Sequence, residues 1–159
     1  MKYYLEEERK KKALQEEQDM KSSVKSHNQK YDKIAKDFLS ENAKNNDVFI
    51  SENGLQYKIL TKGKRKHPKK NDFVLIDFEF SSIPENIKNT RKGVKIRVSE
   101  LGLYLENHGD NSVLEKAMQE MTEGSEYIFY LPNKLNEDYS YKKRYALLLW
   151  QVKLIEINP

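Results

Sequence analysis

Residues 3–44 contain neither proline nor glycine, and the chain changes character after them. The stretch is rich in Glu, Lys, Gln and Ala, good helix formers whose preferences sum over such a length. Glu6, Glu7 and Glu8 precede Arg9, Lys10, Lys11 and Lys12, so ion pairs three and four residues apart are available along a helix. From residue 20 the series Met20, Val24, His27, Tyr31, Ile34 and Phe38 advances in alternating steps of four and three, which is one helical stripe. It does not continue upstream, because Glu17 stands where the next apolar residue would fall. Two readings follow. Either the helix docks its last turns on its own domain and frays at its start, or the stripe pairs with a second helix and makes a homodimer. A helix lying on a membrane surface fits less well, since charges of both signs are mixed along it. The asparagine-rich "ENAKNND" (41–47) ends the element with turn chemistry.

Beyond residue 48 the period becomes two. "GLQYKIL" (54–60) puts Leu55, Tyr57 and Ile59 on one face. "FVLIDFEF" (73–80) puts Val74, Ile76, Phe78 and Phe80 on the core face. "VKIRV" (94–98) reads as a short strand, while "EYIFYLP" (126–132) and "RYALLLWQVKLIEI" (144–157) read as longer ones. Between them "NSVLEKAMQEM" (111–121) spaces Leu114, Ala117, Met118 and Met121 as a helix, opened by an Asn or Ser cap and closed by Gly124. Strands surrounding one short helix describe an α+β domain. The expected division is a helical arm, 1–47, and a domain, 48–159.

Several functional classes lack their residues. The chain has no cysteine, so neither disulfides nor thiol chemistry is available. His27, His67 and His108 are far apart, without metal-ligand spacing. No phosphate-cradling glycine loop is present, and no run approaches the ~18 apolar residues that span a bilayer. The opening "MKYYLEEERKKK" has no apolar h-region, so the expectation is a cytoplasmic chain as written, or an exported one whose signal has been removed. Net charge is +4, and the basic run Lys62, Lys64, Arg65, Lys66, Lys69 and Lys70 is its densest part. Such a run can touch phosphates or anionic lipid. The plainer expectation is a solvated hairpin tip that keeps strand edges from pairing with other chains, and no nucleic-acid partner. Tyr139, Tyr141 and Tyr145 form an exposed aromatic loop among lysines, suited either to a partner chain or to loop packing.

Four segments, in this order, resemble the FKBP family of peptidyl-prolyl isomerases, in particular the bacterial macrophage-infectivity-potentiator type with its N-terminal dimerisation arm. "FLSENAKNNDVFISENGLQYKILTKG" (38–63) is similar to the junction between arm and domain. "HPKKNDFVLIDFEF" (67–80) is similar to the family's Pro-x-x-x-Asp-x-Val strand. "VLEKAMQEMTEGSEYIFYLP" (113–132) matches the central helix, a Met-x-x-Gly turn and a strand ending in Pro, and "LLLWQVKLIEI" (147–157) matches the closing strand. The resemblance implies an antiparallel half-barrel sheet wrapped around a short helix, preceded by a long helix. It also implies a cell-envelope or periplasmic setting and polypeptide substrates.

Isomerising an X-Pro bond means lowering a rotation barrier of ~18–20 kcal/mol, somewhat reduced for proline. No bond breaks and no cofactor is needed. A water-poor aromatic pocket favours the less polar twisted amide, and one or two polar anchors hold the chain. Carried over by the resemblance, the family's strand tyrosine falls on Phe78, which keeps the ring and loses the hydroxyl. Its Phe-Asp pair falls near Ile87 and Lys88, where no carboxylate stands. Its floor tryptophan falls on Leu114, and its closing-strand phenylalanine on Trp150. Phe129 adds a further ring, and Tyr139 or Tyr141 stands near the rim position. The implied substrate pocket is therefore Phe78, Leu114, Phe129 and Trp150, with Tyr139 and Tyr141 at the rim and no residue identified as catalytic. Read from the residues alone, Phe78, Phe129 and Trp150 serve equally as core.

The expected function is a prolyl-isomerase-like folding factor or chaperone acting on polypeptides, with weak or absent catalysis. The alternative is a non-catalytic adaptor inside a larger complex, contacting it through the arm and the 100–111 insertion. A basic nucleic-acid binder is the third.

Overall fold

The computed structural model describes residues 2–105, 112–133 and 142–159. Helix α1 runs Lys2–Asn42, 41 residues or about 60 Å. It is helical from its first described turn. Six strands follow: β1 (Val48–Ile50), β2 (Gln56–Thr61), β3 (Phe73–Ile83), β4 (Lys88–Arg97), β5 (Glu126–Pro132) and β6 (Leu147–Ile157). A 3-10 helix, Val98–Leu105, and helix α2, Val113–Glu120, lie between β4 and β5.

The strands form one sheet in the order β1-β2-β5-β6-β3-β4, with every neighbouring pair antiparallel. β1 and β4 are unpaired edges, so the sheet curves around α2 without closing into a barrel. Helix α2 buries Val113, Leu114, Ala117 and Met118 against it, the spacing that the sequence shows. β3 alternates along its length, and Val74, Ile76, Phe78 and Phe80 all face the core as the period of two requires.

Several expectations are corrected. Residues 62–72 are not a hairpin tip, because β2 and β3 lie on opposite sides of the β5–β6 pair. The segment crosses under α2, and its backbone is stitched to the turn that follows the helix. Lys64 N–H donates to the Glu123 carbonyl (2.7 Å), and Glu123 N–H to the Lys66 carbonyl (3.0 Å). At Gly63 the backbones approach so closely that a Cβ would collide with the Glu123 carbonyl. His67 Nδ1–H donates to the Met121 carbonyl (2.8 Å) at the end of α2. The lysines and arginine of this segment still project into solvent. β4 begins at Lys88, well before the expected 94, because its first half is exposed and polar and is defined by pairing with β3 rather than by alternation. β1 carries no period in three residues and exists through its pairing with β2. α2 ends at Glu120, and Gly124, with φ +85°, belongs to the turn beyond it. Ser112 stands at the N-cap without a side-chain capping bond.

The arm docks through residues 24–42, while residues 3–23 are exposed on every side. Met20, first in the apolar stripe, is 70% exposed. The docked face is offset by one position from that stripe: Val24, Asn28, Ala35 and Asn42 are buried, whereas His27, Tyr31, Ile34 and Phe38 are half-buried. Two of those four buried residues are polar, which is why the stripe of apolar residues misplaces the face.

Truncating Leu114 to Ala beneath the sheet is expected to cost about 2–5 kcal/mol. The same truncation at exposed Leu60 should stay within about 0.5 kcal/mol. Urea unfolding followed by tryptophan fluorescence checks both, and equal midpoints for the two variants would contradict the packing described.

Candidate functional site

Cross-strand register gathers the candidate residues. Phe80 on β3 pairs with Trp150 on β6, and Trp150 pairs on its other side with Phe129 on β5. Three rings thus stand in one row on the core face. Phe80 stacks on the indole at 6.1 Å (16°), and Phe129 is tilted against it at 5.7 Å. Phe78, two residues from Phe80, meets the indole edge-on at 6.2 Å. Tyr57 and Tyr127 extend the row beyond Phe129, at 5.8 and 5.7 Å. Leu114 backs it from α2 in the same buried cluster.

Phe78, Leu114, Phe129 and Trp150 are therefore brought together, and all four are buried. Leu114, Phe129 and Trp150 have no exposed surface at all. Tyr139 and Tyr141 lie outside the described residues. Tyr145, expected exposed, is half-buried against the core, and desolvation pushes its pKa up to about 12. Burial also raises Tyr57 and Tyr127, with the nearby Glu120 carboxylate adding to both. At the position carried over for the Phe-Asp pair, Ile87 is exposed on the β3–β4 turn and Lys88 pairs with Glu79 (3.9 Å).

Two participants escape the sequence reading. Tyr104, on the 3-10 helix, lies edge-on over Phe78 at 5.1 Å and is 38% exposed, so it stands between the aromatic row and solvent. Its signal was the apolar "LGLYL" (101–105) inside what reads as an insertion; Leu101 anchors that segment in the core. The second is Lys143, whose charge reads as surface but which is buried against the arm. Its backbone N–H donates to Asn28 Oδ1 (2.8 Å), and its carbonyl accepts from His27 Nε2–H (2.8 Å). Its ammonium pairs with Asp32 and donates to the Asn133 carbonyl (2.7 Å). Tyr31 donates to Glu85 on the β3–β4 turn, and that bond, more than its burial, holds the Tyr31 pKa up at about 12. The arm thus grips two loops at the same end of the sheet. Beside this contact a cleft of about 480 Å³ opens between arm and sheet, lined by Ala35, Leu39, Gln56, Pro132 and Asn133 among others.

The arrangement is a buried aromatic row with one partly exposed ring at its edge, and no metal-binding cluster of His, Cys, Asp or Glu stands among the described residues.

Comparisons with known proteins agree with this architecture. A family described as "Domain amino terminal to FKBP-type peptidyl-prolyl isomerase" matches residues 2–59. A curated protein of Neisseria meningitidis serogroup B, "Probable FKBP-type peptidyl-prolyl cis-trans isomerase FkpA", is 29% identical over 133 residues, covering 76% of this chain and 44% of that protein. The chain therefore spans less than half the length of that relative. The crystal structure of FkpA from Escherichia coli superposes with a TM-score of 0.66 at 17% identity, over 87% of this chain and 64% of that one. A peptidyl-prolyl cis-trans isomerase from Pseudomonas syringae pv. tomato superposes at 0.62 with 16% identity, over 82% and 96%. This is an FKBP-fold protein. It is similar to bacterial FKBP-type peptidyl-prolyl cis-trans isomerases, and its residues 2–59 match the domain described as amino terminal to them.

Because Tyr145 and Tyr31 titrate higher folded than the ordinary value near 10, their contribution to stability is complete below pH 10 and is lost as pH rises toward about 12. Urea midpoints should fall through that interval, and Tyr145→Phe should make the fall shallower. An unchanged slope in the variant would mean that Tyr145 is not desolvated.

Proposed function

We propose that the protein is a polypeptide-binding folding factor whose client site is the aromatic row at Phe78, Phe129 and Trp150, floored by Leu114 and bordered by Tyr104, with Tyr139 and Tyr141 as rim residues. It holds chain segments rather than isomerising them efficiently. The observation that carries this reading is the row itself: Phe78 and Trp150 occupy the ring positions of the implied pocket and touch one another. The hydroxyl that the resemblance places at 78 and the carboxylate it places near Ile87 and Lys88 are both missing. An aromatic surface without polar anchors lowers the free energy of a bound apolar segment but does little to orient one amide for rotation. The cell envelope is the compartment that suits this reading, by likeness to the bacterial relatives.

A second reading has its own observation. The first half of α1 presents Tyr3, Tyr4, Leu5 and Leu14 to solvent, and residues 3–23 are exposed among the described residues. Pairing of two such arms would place two aromatic rows in one clamp; a docked complex partner would instead make the protein a non-catalytic adaptor.

In a prolyl-peptide isomerisation assay the protein is expected to accelerate the cis-to-trans step weakly, and Phe78→Tyr to accelerate it further. No rate above background for either protein would favour the adaptor. In sedimentation the full chain is expected to run as a dimer, and Leu14→Glu combined with Met20→Glu as a monomer. Equal masses at the monomer value would remove arm pairing.

A further inference from the structure

Trp150 is the sole tryptophan of the chain, and it has no exposed surface. No acceptor lies within hydrogen-bond reach of its Nε1–H among the described residues. Buried donors are ordinarily satisfied, since an orphan forfeits its bond to water and gains nothing in return. Elsewhere half-buried His27 and the buried Lys143 ammonium each find a backbone carbonyl. Arg97 Nε is the other unpartnered buried side-chain nitrogen, but it lies at the end of β4, where the guanidinium covers the Phe73 ring at 4.8 Å. Trp150 Nε1 is thus the orphan at the centre of the core. Its surroundings are ring carbons of Phe78, Phe80 and Phe129, which offer at best a weak N–H···π contact. A phenylalanine, as at both of its neighbours in the row, would fill the place without carrying a donor.

We propose that the Trp150 indole N–H is the donor that recognises a client carbonyl oxygen when a chain segment enters the aromatic row. This rests on the row being the client site. The occupant is an apolar peptide segment with an accessible amide carbonyl, and an X-Pro bond supplies one beside a ring of matching shape. Access runs past Tyr104, the exposed ring that rests edge-on against Phe78 and so shields the row. The chemistry of the bond also states what it does. A donor on an amide oxygen favours the planar, charge-separated form over the twisted one, whose carbonyl is more ketone-like. Trp150 therefore tightens binding without lowering the rotation barrier. It is a specificity residue for holding and not a catalytic residue.

With a single tryptophan, the full-length ¹⁵N-labelled protein shows one indole N–H resonance. On titration with an Ala-Leu-Pro-Phe peptide amide, that resonance is expected to move downfield and its hydrogen exchange to slow. Trp150→Phe is expected to bind the same peptide about tenfold more weakly, while its isomerisation rate at saturating peptide does not fall, because the planar amide loses its added stabilisation. If the peptide shifts backbone amides of β5 and β6 but leaves the indole resonance in place, or if Trp150→Phe binds equally well, the donor role is overturned and the client site stands. Absence of any peptide-induced shift in the wild-type protein removes the client site and the donor role together. Should the variant not fold, the wild-type indole resonance still decides.

Discussion

The fold depends on one row of rings. Phe80, Trp150 and Phe129 come from three different strands, and only the antiparallel register of β3, β6 and β5 brings them side by side. Aromatic cross-strand neighbours stabilise a sheet through both burial and ring geometry. Here they also set its curvature, because the concave side must accommodate the row together with Leu114 and Met118 of α2. The short helix fills that hollow with a face only two turns long. At its C-terminal end the Met121 carbonyl accepts from His67 of the basic segment, and the backbone at Lys64 and Lys66 is bonded to Glu123 in the turn beyond. A run that reads as pure surface charge is thus a brace whose backbone is structural and whose side chains remain in water.

The arm is attached by different physics. Its docked half buries little apolar surface, and its contacts are largely polar: Asn28, Asp32 and His27 on Lys143, Tyr31 on Glu85, and Asn42 with the Leu39 carbonyl on Gln56. A buried ammonium is costly unless paired, and Lys143 is paired with a carboxylate and a carbonyl that belong to different elements. Such a contact specifies one position for the helix more than it adds to stability. The loops it grips lead directly into β6 and β4, the strand carrying Trp150 and the edge strand beyond Phe78.

The missing anchors and the added indole point the same way. An isomerase must prefer the twisted amide over the planar one, which requires dry apolar walls and contacts that orient the chain. This protein keeps the dry walls. Phe78 gives ring area without a hydroxyl, and Trp150 gives ring area with an unpartnered donor, which as proposed would favour the planar amide. On the function proposed above, that set favours affinity over rate enhancement.

Much of this was legible in the residues. The proline-free arm, the period-two core face of β3, the α2 stripe and the order of elements follow from local rules, because helix and strand periodicity are written in consecutive side chains. The resemblance likewise brought Phe78, Leu114, Phe129 and Trp150 into one neighbourhood. Other features had no local signal. β1 and the first half of β4 exist only through their partners. The basic segment could not be seen as a crossover until the strand order placed β5 and β6 between β2 and β3. Lys143 reads as solvated in any window, since its burial depends on Asn28 and Asp32 more than a hundred residues away in sequence. The orphaned Trp150 N–H depends on what three strands bring around it. Periodicity determines which face of an element is apolar; only the packed structure decides which polar groups find a partner, because hydrogen bonding is a property of pairs brought together by the fold.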